Sequence, residues 1–512
     1  MDHQKLIDEL RKRKDHFKKG GGKKNIQKQH EAGKLTARER LEILLDPGTF
    51  SEIGMFGTHH CTDFGMDEMD LPGDGVITGW GKIHGRRIYI VAQDYTVLSG
   101  TMGPTHMKKT YMAMDRGIEA RVPLVMLNDS GGVRPQEQFV TFTYSTQIFR
   151  RHTSFSGVIP QISVIMGPVA GGPCYGPALT DFIFMVKGTS SMFIGGPPVV
   201  KALVSEDVTN EELGGSKIHA EISGVADYVA ESEDQCLEKV KELLDLLPSN
   251  NEENPPRITP TDDPGRRCER LLQIVPTDPH KSYDMRTVVK EILDDGYFFE
   301  MKPTYAKNII TGFGRLNGYP VGITANQPSF LAGCIDIDAS DKVARFVRFC
   351  DCFNIPIINL VDTPGYLVGK KMEYQGIIRH GAKALYARSE ATVPQITVVL
   401  RKAYAGAFVA MGDRGVGTDY IFLWPTAEVA LFGPEAAINI ICRREPDEVK
   451  TKRLKEYKDK FINIYYPSSF PEYIDGIIEP QETRSVLMQA LEVLLSKRPV
   501  KRYQKKHGNI PL

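Results

Sequence analysis

The sequence predicts an α/β fold that occurs twice in one chain. Three observations predict it: short β-branched runs alternate with amphipathic segments, one half of the chain repeats the other, and a polar, proline-rich stretch separates the halves. GWGKIHGRRIYIVAQD from Gly79 resembles GFGRLNGYPVGITANQ from Gly312, and RVPLVMLNDSGG from Arg121 resembles NIPIINLVDTPG from Asn354, both at an offset of 233 residues. Downstream, Pro160-Gln161 faces Pro394-Gln395 at an offset of 234, so one residue has slipped, and Gly172 falls opposite Gly406. LPSNNEENPPRITPTDDPGRR, Leu247 to Arg267, has the composition of a linker and places the domain boundary, giving residues 1–256 and 257–512.

In each copy the apolar runs read as buried strands: Ile88 to Ala92, Leu124 to Leu127 and Ile162 to Met166 in the first, Ile357 to Val361 and Ile396 to Leu400 in the second. Between them lie segments of helical period. In Ser340 to Phe353, for example, Val343, Phe346, Val347 and Cys350 recur on one face. A chain of 512 residues exceeds one ordinary core, which agrees with two domains.

Composition excludes several classes. Lys and Arg number 64, as do Asp and Glu, so net charge offers no reason to expect nucleic acid. Eight cysteines, with Cys350 and Cys352 the only close pair, fit neither a disulfide framework nor a zinc ribbon and predict a reduced cytoplasm. The N-terminus MDHQKLIDELRKRKDHFKKGGGKK mixes acids with bases and has no apolar core of a signal peptide. No apolar stretch approaches the roughly 18 residues of a membrane span.

The chemistry points to two turns. Ala170-Gly171-Gly172 and Ala405-Gly406-Ala407 each follow a strand and open a helix-like segment, and each has a second small turn nearby, Asp129-Ser130-Gly131-Gly132 and Asp362-Thr363-Pro364-Gly365. Small residues let backbone N–H groups line a pocket, and a helix N-terminus adds partial positive charge, which is how an oxyanion hole is built from backbone alone. Small residues also serve close strand–helix packing, but their repetition favours the chemical reading. Two holes would hold two carbonyl oxygens and hence two reactants.

Other constellations are weaker. Ser130 lacks a nucleophile elbow and reads as a turn serine. His59-His60-Cys61 lacks a matching second half for a metal site, so no metal is expected. Cys350-x-Cys352 reads as part of a packed helix. The Lys-rich ends, Arg11 to Lys24 and Lys497 to Lys506, read as solvated basic segments. No P-loop, dinucleotide fingerprint or acid/base pair emerges.

Many ordered motifs then carry a family resemblance. LTARERLEILLDPGTFSEI (Leu35 to Ile53), GDGVITGWG (Gly73 to Gly81), QDYTVLSG (Gln93 to Gly100), DSGGVRPQE (Asp129 to Glu137), PALTDFIFMV (Pro177 to Val186), EELGG (Glu211 to Gly215), DTPGYLVG (Asp362 to Gly369), GIIRHGAKALYA (Gly376 to Ala387), RKAYAGAF (Arg401 to Phe408) and WPTAEVALFGPEAA (Trp424 to Ala437) resemble the carboxyltransferase (beta) subunits of biotin-dependent acyl-CoA carboxylases. Propionyl-CoA carboxylase beta chains and methylmalonyl-CoA decarboxylase alpha subunits are the most similar in flavour.

The resemblance implies two tandem crotonase-like (ClpP/crotonase) domains in a hexamer, with active sites between subunits. It implies that the N–H groups of Gly171 and Gly172 hold the thioester oxygen of an acyl-CoA, and those of Gly406 and Ala407 the ureido oxygen of biotin. Gly131, Gly132, Tyr175, Phe408 and Val409 are implied substrate contacts. No biotinyl-lysine motif and no ATP-binding region occurs, so biotin carboxylase and the biotin carrier are implied as separate chains, or a membrane decarboxylase subunit if the transfer runs in reverse. The family's usual G-G-A-Y-D at the second turn is here Ala405-Gly406-Ala407-Phe408-Val409, with an apolar residue where an acid tunes acyl choice. In the first turn Pro173 stands where alanine is usual, and Cys174-Tyr175-Gly176 where Val-Tyr-Ser is usual.

Overall fold

The computed structural model describes residues 2–497 and 506–511; residues 498–505 of the Lys-rich C-terminal end lie outside the described residues. The chain divides into two units, residues 1–253 and 254–512, at a point inside the proline-rich stretch. In the first unit the strands are β1 (Ser51–Ile53), β2 (Val76–Ile83), β3 (Arg86–Gln93), β4 (Leu124–Ser130), β5 (Gln161–Ala170), β6 (Phe182–Val186), β7 (Ser191–Phe193) and β8 (Tyr228–Ala230). They form one sheet in the order β1-β2-β3-β4-β5-β6-β8, with β7 pairing the end of β5.

The second unit repeats this plan. Its strands are β9 (Phe298–Met301), β10 (Ile309–Leu316), β11 (Tyr319–Asn326), β12 (Ile357–Thr363), β13 (Gln395–Tyr404), β14 (Tyr420–Leu423), β15 (Glu428–Ala430) and β16 (Gly476–Ile477). Their order is β16-β14-β13-β12-β11-β10-β9, with β15 pairing β13. The five strands expected from the sequence fall inside β3, β4, β5, β12 and β13, and Cys350 and Cys352 lie on the helix Ile337–Cys352.

Local chemistry explains the shared register. Both antiparallel hairpins turn through two residues of positive φ, His84-Gly85 (49° and 78°) and Asn317-Gly318 (52° and 78°), the tight turn whose twist matches its strands. In each, one carboxylate accepts both turn N–H groups: Asp46 at 2.9 and 2.8 Å, Asp294 at 3.0 and 2.7 Å. The central strands run parallel, and every residue of β4 and β12 is buried, as a sheet covered on both faces requires.

Lys109 and Lys342, 233 residues apart, are buried in both units and tie down the chain before the hairpin. The Lys342 ammonium donates to the carbonyls of Lys302, Tyr305 and Ile309, each at 2.8 Å, and that of Lys109 to Gly73 and Val76. Beside Lys109, the imidazole of His106 is buried, with Nδ1 3.0 Å from the Asp74 carbonyl oxygen. Burial, reinforced by nearby Arg134, pushes His106 down to about 3, so it is neutral in the folded chain.

The sign of the pH effect follows. An unfolded histidine takes up its proton near pH 6.5, whereas the folded one resists to about 3, so this contribution is complete above about 6.5 and is lost as pH falls. Its slope is at most about 1.4 kcal/mol per pH unit. Unfolding midpoints of His106→Gln between pH 7 and 4 are expected to fall less steeply than those of the parent chain.

Candidate active site: two equivalent turns

Each site is built where two parallel strands lose register. The β4–β5 ladder runs from Leu124↔Gln161 to Asn128↔Ile165 and resumes at Ser130↔Val169; the β12–β13 ladder breaks between Val361↔Val399 and Thr363↔Ala403. One aspartate, Asp129 or Asp362, sits at each break, fully buried. The strand then continues into its turn.

In the first unit Gly171 takes φ 76°, ψ −153°, a conformation reserved for glycine, and a short 3-10 turn Gly172–Cys174 leads into the helical turn Tyr175–Ala178. The Gly171 N–H donates to the Phe193 carbonyl at 3.0 Å, extending the β5–β7 pairing, and Pro173 has no N–H. This corrects the expected Gly171/Gly172 donor pair: the Gly171 amide is spent inside the sheet, and Gly172 alone offers a donor from this turn. A side chain at Gly172 would meet no atom within 4 Å, so the space in front of it is open.

The neighbouring turn supplies what sequence reading missed. Gly131 N–H donates to the Ser99 carbonyl (2.9 Å) and Gly132 N–H to Ser130 Oγ (3.1 Å), so neither glycine presents a free donor. Ser130 Oγ itself donates to the Gly100 carbonyl at 2.7 Å, the bonding of a turn serine. Met102 N–H reaches the Gly132 carbonyl and Arg134 N–H the Met102 carbonyl, both at 2.9 Å; in such a parallel bridge the Val133 N–H points away from Met102. The two turns touch, since a Cβ on Gly132 would lie 3.3 Å from the Ala170 carbonyl oxygen.

The second unit reproduces this arrangement. Ala405, opposite Gly171, has φ 52°, which is costly for a residue with a Cβ, and the helix Ala405–Gly412 starts there without a side-chain cap. The N–H groups of Gly406 and Ala407 fall in its first turn and have no i−4 carbonyl partner within the helix. Ile335 N–H reaches the Gly365 carbonyl (3.1 Å) and Leu367 N–H the Ile335 carbonyl (2.8 Å), leaving Tyr366 in the place of Val133. A Cβ on Gly406 would lie 3.9 Å from the Tyr366 ring.

The surroundings of the two turns differ. Beside Gly406 a largely apolar cavity of about 510 Å³ is walled by Tyr366, Val368, Ile377, Ile378, Leu385 and Val409, with Glu373 also in its lining. Val409 forms part of this wall, whereas Phe408 turns into the core, 8% exposed, and is not part of it. Tyr175 is half exposed, its ring edge-on to Phe149. At the same sheet end as the first turn, a polar cleft of about 510 Å³ is lined by Asn25, Lys28, Tyr95, Ser99, Thr189 and Asn210, with Thr189 Oγ1 buried and unbonded among the described residues. His59 bonds the Met69 carbonyl (3.0 Å), and no cluster of three metal-ligating side chains occurs among the described residues.

Comparison with known proteins gives the family. The carboxyl transferase domain family matches residues 28–510. The chain is 50% identical to the propionyl-CoA carboxylase carboxyltransferase subunit of Haloferax mediterranei over 100% of both, and 49% identical to the methylmalonyl-CoA decarboxylase subunit alpha of Veillonella parvula over 99% of both. It is similar to the hexameric transcarboxylase 12S crystal structure, with methylmalonyl-coenzyme A bound, at TM-score 0.97 and 46% identity, covering 100% of both chains. Its two units are thus tandem crotonase-like domains. With matches of this identity running end to end, the chain belongs to the carboxyl transferase domain family and is a carboxyltransferase subunit.

Proposed function

We propose that this chain transfers a carboxyl group between carboxybiotin, borne on a separate carrier, and the α carbon of an acyl-CoA of propionyl type or longer. The observation that supports this most is the pair of equivalent turns, each with backbone N–H groups that no strand or helix partner takes up, beside an opening. In the first unit, the acyl-CoA side, Gly172 and Val133 donate to the thioester oxygen, with Gly131 and Gly132 as close-packed wall and Tyr175 at the rim. A donor aimed at a developing oxyanion supplies about 3 kcal/mol, because it binds charge that appears only during reaction. The polar cleft with Lys28 suits the phosphates and amides of coenzyme A.

In the second unit, the biotin side, Gly406, Ala407 and Tyr366 supply N–H donors at the edge of an apolar cavity. Such a site fits an apolar bicyclic ring carrying one polar urea oxygen, and this fit is read from the cavity walls. Carboxybiotin supplies the carboxyl group and then a urea nitrogen basic enough to take the α proton. The chain's residues hold both oxygens in place, orient the reactants and exclude water.

Large apolar side chains stand in solvent on each unit, including Phe139 (78%), Leu203 (79%), Val368 (82%) and Ile378 (77%). Together with the hexameric assembly of the similar transcarboxylase 12S structure, this supports a hexamer in which sites form between subunits. Biotin carboxylase and the carrier are the partners, in the cytoplasm; among the described residues no helix is long and apolar enough to cross a membrane.

The purified chain with free biotin is expected to move carboxylate to or from at least one of malonyl-, methylmalonyl- and longer CoA esters; no exchange with any would overturn the proposal. A second reading, transfer from a methylmalonyl-type CoA to biotin with a membrane partner, is favoured by the apolar Val409. Co-purification with a membrane subunit rather than a biotin carboxylase would select it. With sites formed between subunits, the Val409 wall also faces the acyl chain held by a neighbouring first unit, so Val409→Asp, which places a carboxylate there, is expected to lower kcat/KM for longer acyl chains about tenfold relative to propionyl-CoA, with turnover retained.

A further inference from the structure

We propose that Asp129 and Asp362 are positioning residues, each a buried carboxylate wedged in the strand irregularity that sets where its catalytic turn begins. The inference rests on the turns having the roles proposed above. At each break one aspartate faces three residues of the next strand, Met166, Gly167 and Pro168 opposite Asp129, and Leu400, Arg401 and Lys402 opposite Asp362. Two residues are thus inserted at the same place in both units. An unbroken ladder would shift the strand end by two residues, about 6.6 Å, and carry Gly172 or Gly406 out of its place.

The two carboxylates are held by different parts of the chain. In the second unit the bulged strand holds its own: Arg401 Nε donates to Asp362 Oδ2 (2.8 Å) and Lys402 N–H to Oδ1 (3.2 Å), with Tyr283 OH also donating to Oδ2 (3.0 Å). Arg401 is fixed in turn by the carbonyls of Asp278 and Lys281, both at 2.8 Å.

In the first unit the matching positions are Gly167, without a side chain, and Pro168, without an N–H. A Cβ on Gly167 would lie 2.0 Å from Asp129 Oδ1, so no side chain fits there. The cations come instead from the segment before the first strand: Lys34 Nζ to Oδ1 (2.7 Å), Arg40 Nη1 to Oδ2 (2.9 Å), and the Gln29 amide to Oδ2 (3.1 Å). Arg40 also makes a forked pair with Glu233, at 2.8 and 2.7 Å, so two acids and two bases balance. The first turn thus leans on residues 29–40, while the second is held from within its own domain. Asp129 further receives Gln93, whose Oε1 accepts the Asp129 N–H at 3.0 Å, as Asn326 does for Asp362 at 3.2 Å.

Lys34→Met tests this. Arg40 still pairs with Asp129, but two buried acids then share one base, so folding is checked first by circular dichroism. Because Lys34 also lines the polar cleft, coenzyme A binding is read separately with a thioether. The hexamer is expected intact, kcat to fall about 10- to 100-fold, and KM for the acyl-CoA to change less than about threefold. S-propyl-CoA, a thioether with no carbonyl, is expected to bind as to the parent chain, which a lost CoA contact or general unfolding would not allow. Lys34→Arg, which keeps the charge, is expected to recover most of the turnover. A folded Lys34→Met with parental kcat, or one that loses thioether binding in proportion to kcat, would overturn the proposal. Gly172→Val assayed alongside separates the readings: if it is inactive while Lys34→Met is normal, only the positioning role fails. If Gly172→Val itself turns over normally, the turn assignment fails and the positioning role falls with it.

Discussion

Gly172→Val is expected to lower kcat by 100-fold or more while leaving the chain folded and assembled. The backbone there requires no positive φ and no atom stands within 4 Å of a new Cβ, so the branched side chain fits the fold and fills the space meant for the substrate oxygen. Loss of one oxyanion donor alone costs about 10² to 10³ in kcat, or roughly 3 to 4 kcal/mol. Gly406→Val is expected to behave alike, its Cβ 3.9 Å from the Tyr366 ring. Circular dichroism and light scattering check folding and assembly, and steady-state turnover checks the effect. Parental activity in both variants would refute the two-hole assignment.

Arg40→Met should produce the largest loss of stability. Arg40 is fully buried between Asp129 and Glu233, and its removal leaves Glu233 in the interior with the Leu35 N–H, at 3.2 Å, in place of a guanidinium. Breaking a buried pair from one side costs about 3 to 5 kcal/mol, because the remaining charge keeps its desolvation penalty. A unit of some 250 residues loses roughly 2 to 4 °C of Tm per kcal/mol, so a fall near 10 °C is expected by calorimetry. Adding Glu233→Gln should return part of it. A double variant no more stable than Arg40→Met would show that the unpaired carboxylate is not the cause.

The duplication was fully legible in the sequence, since β-strand periodicity and both Asp-led turns follow from an offset of 233 and the Gly172/Gly406 equivalence from one of 234, a single slipped residue apart. The donors were legible only in part. That Gly171 spends its N–H on Phe193 depends on β7, a strand of three residues too short to announce itself. Val133 and Tyr366 occupy matching positions after D-S-G-G and D-T-P-G, but it is a bridge to Met102 and Ile335, some 30 residues away, that turns their amides away from the paired strand. The aspartate clamps were half visible. The change from Gly167-Pro168 to Arg401-Lys402 stands out in the repeat, yet nothing local shows that the missing cation comes from Arg40, 89 residues upstream.

Pro173 has a pharmacological consequence. In the roles proposed above, the first turn would present one amide to a ligand oxygen where the second would present two, because proline stands where Ala407 stands in the other copy. An inhibitor whose single anionic oxygen must be gripped by consecutive amides would therefore choose the second half, while one spanning Gly172 and Val133 would suit the first. A fold that arose by copying thus carries two separately addressable targets.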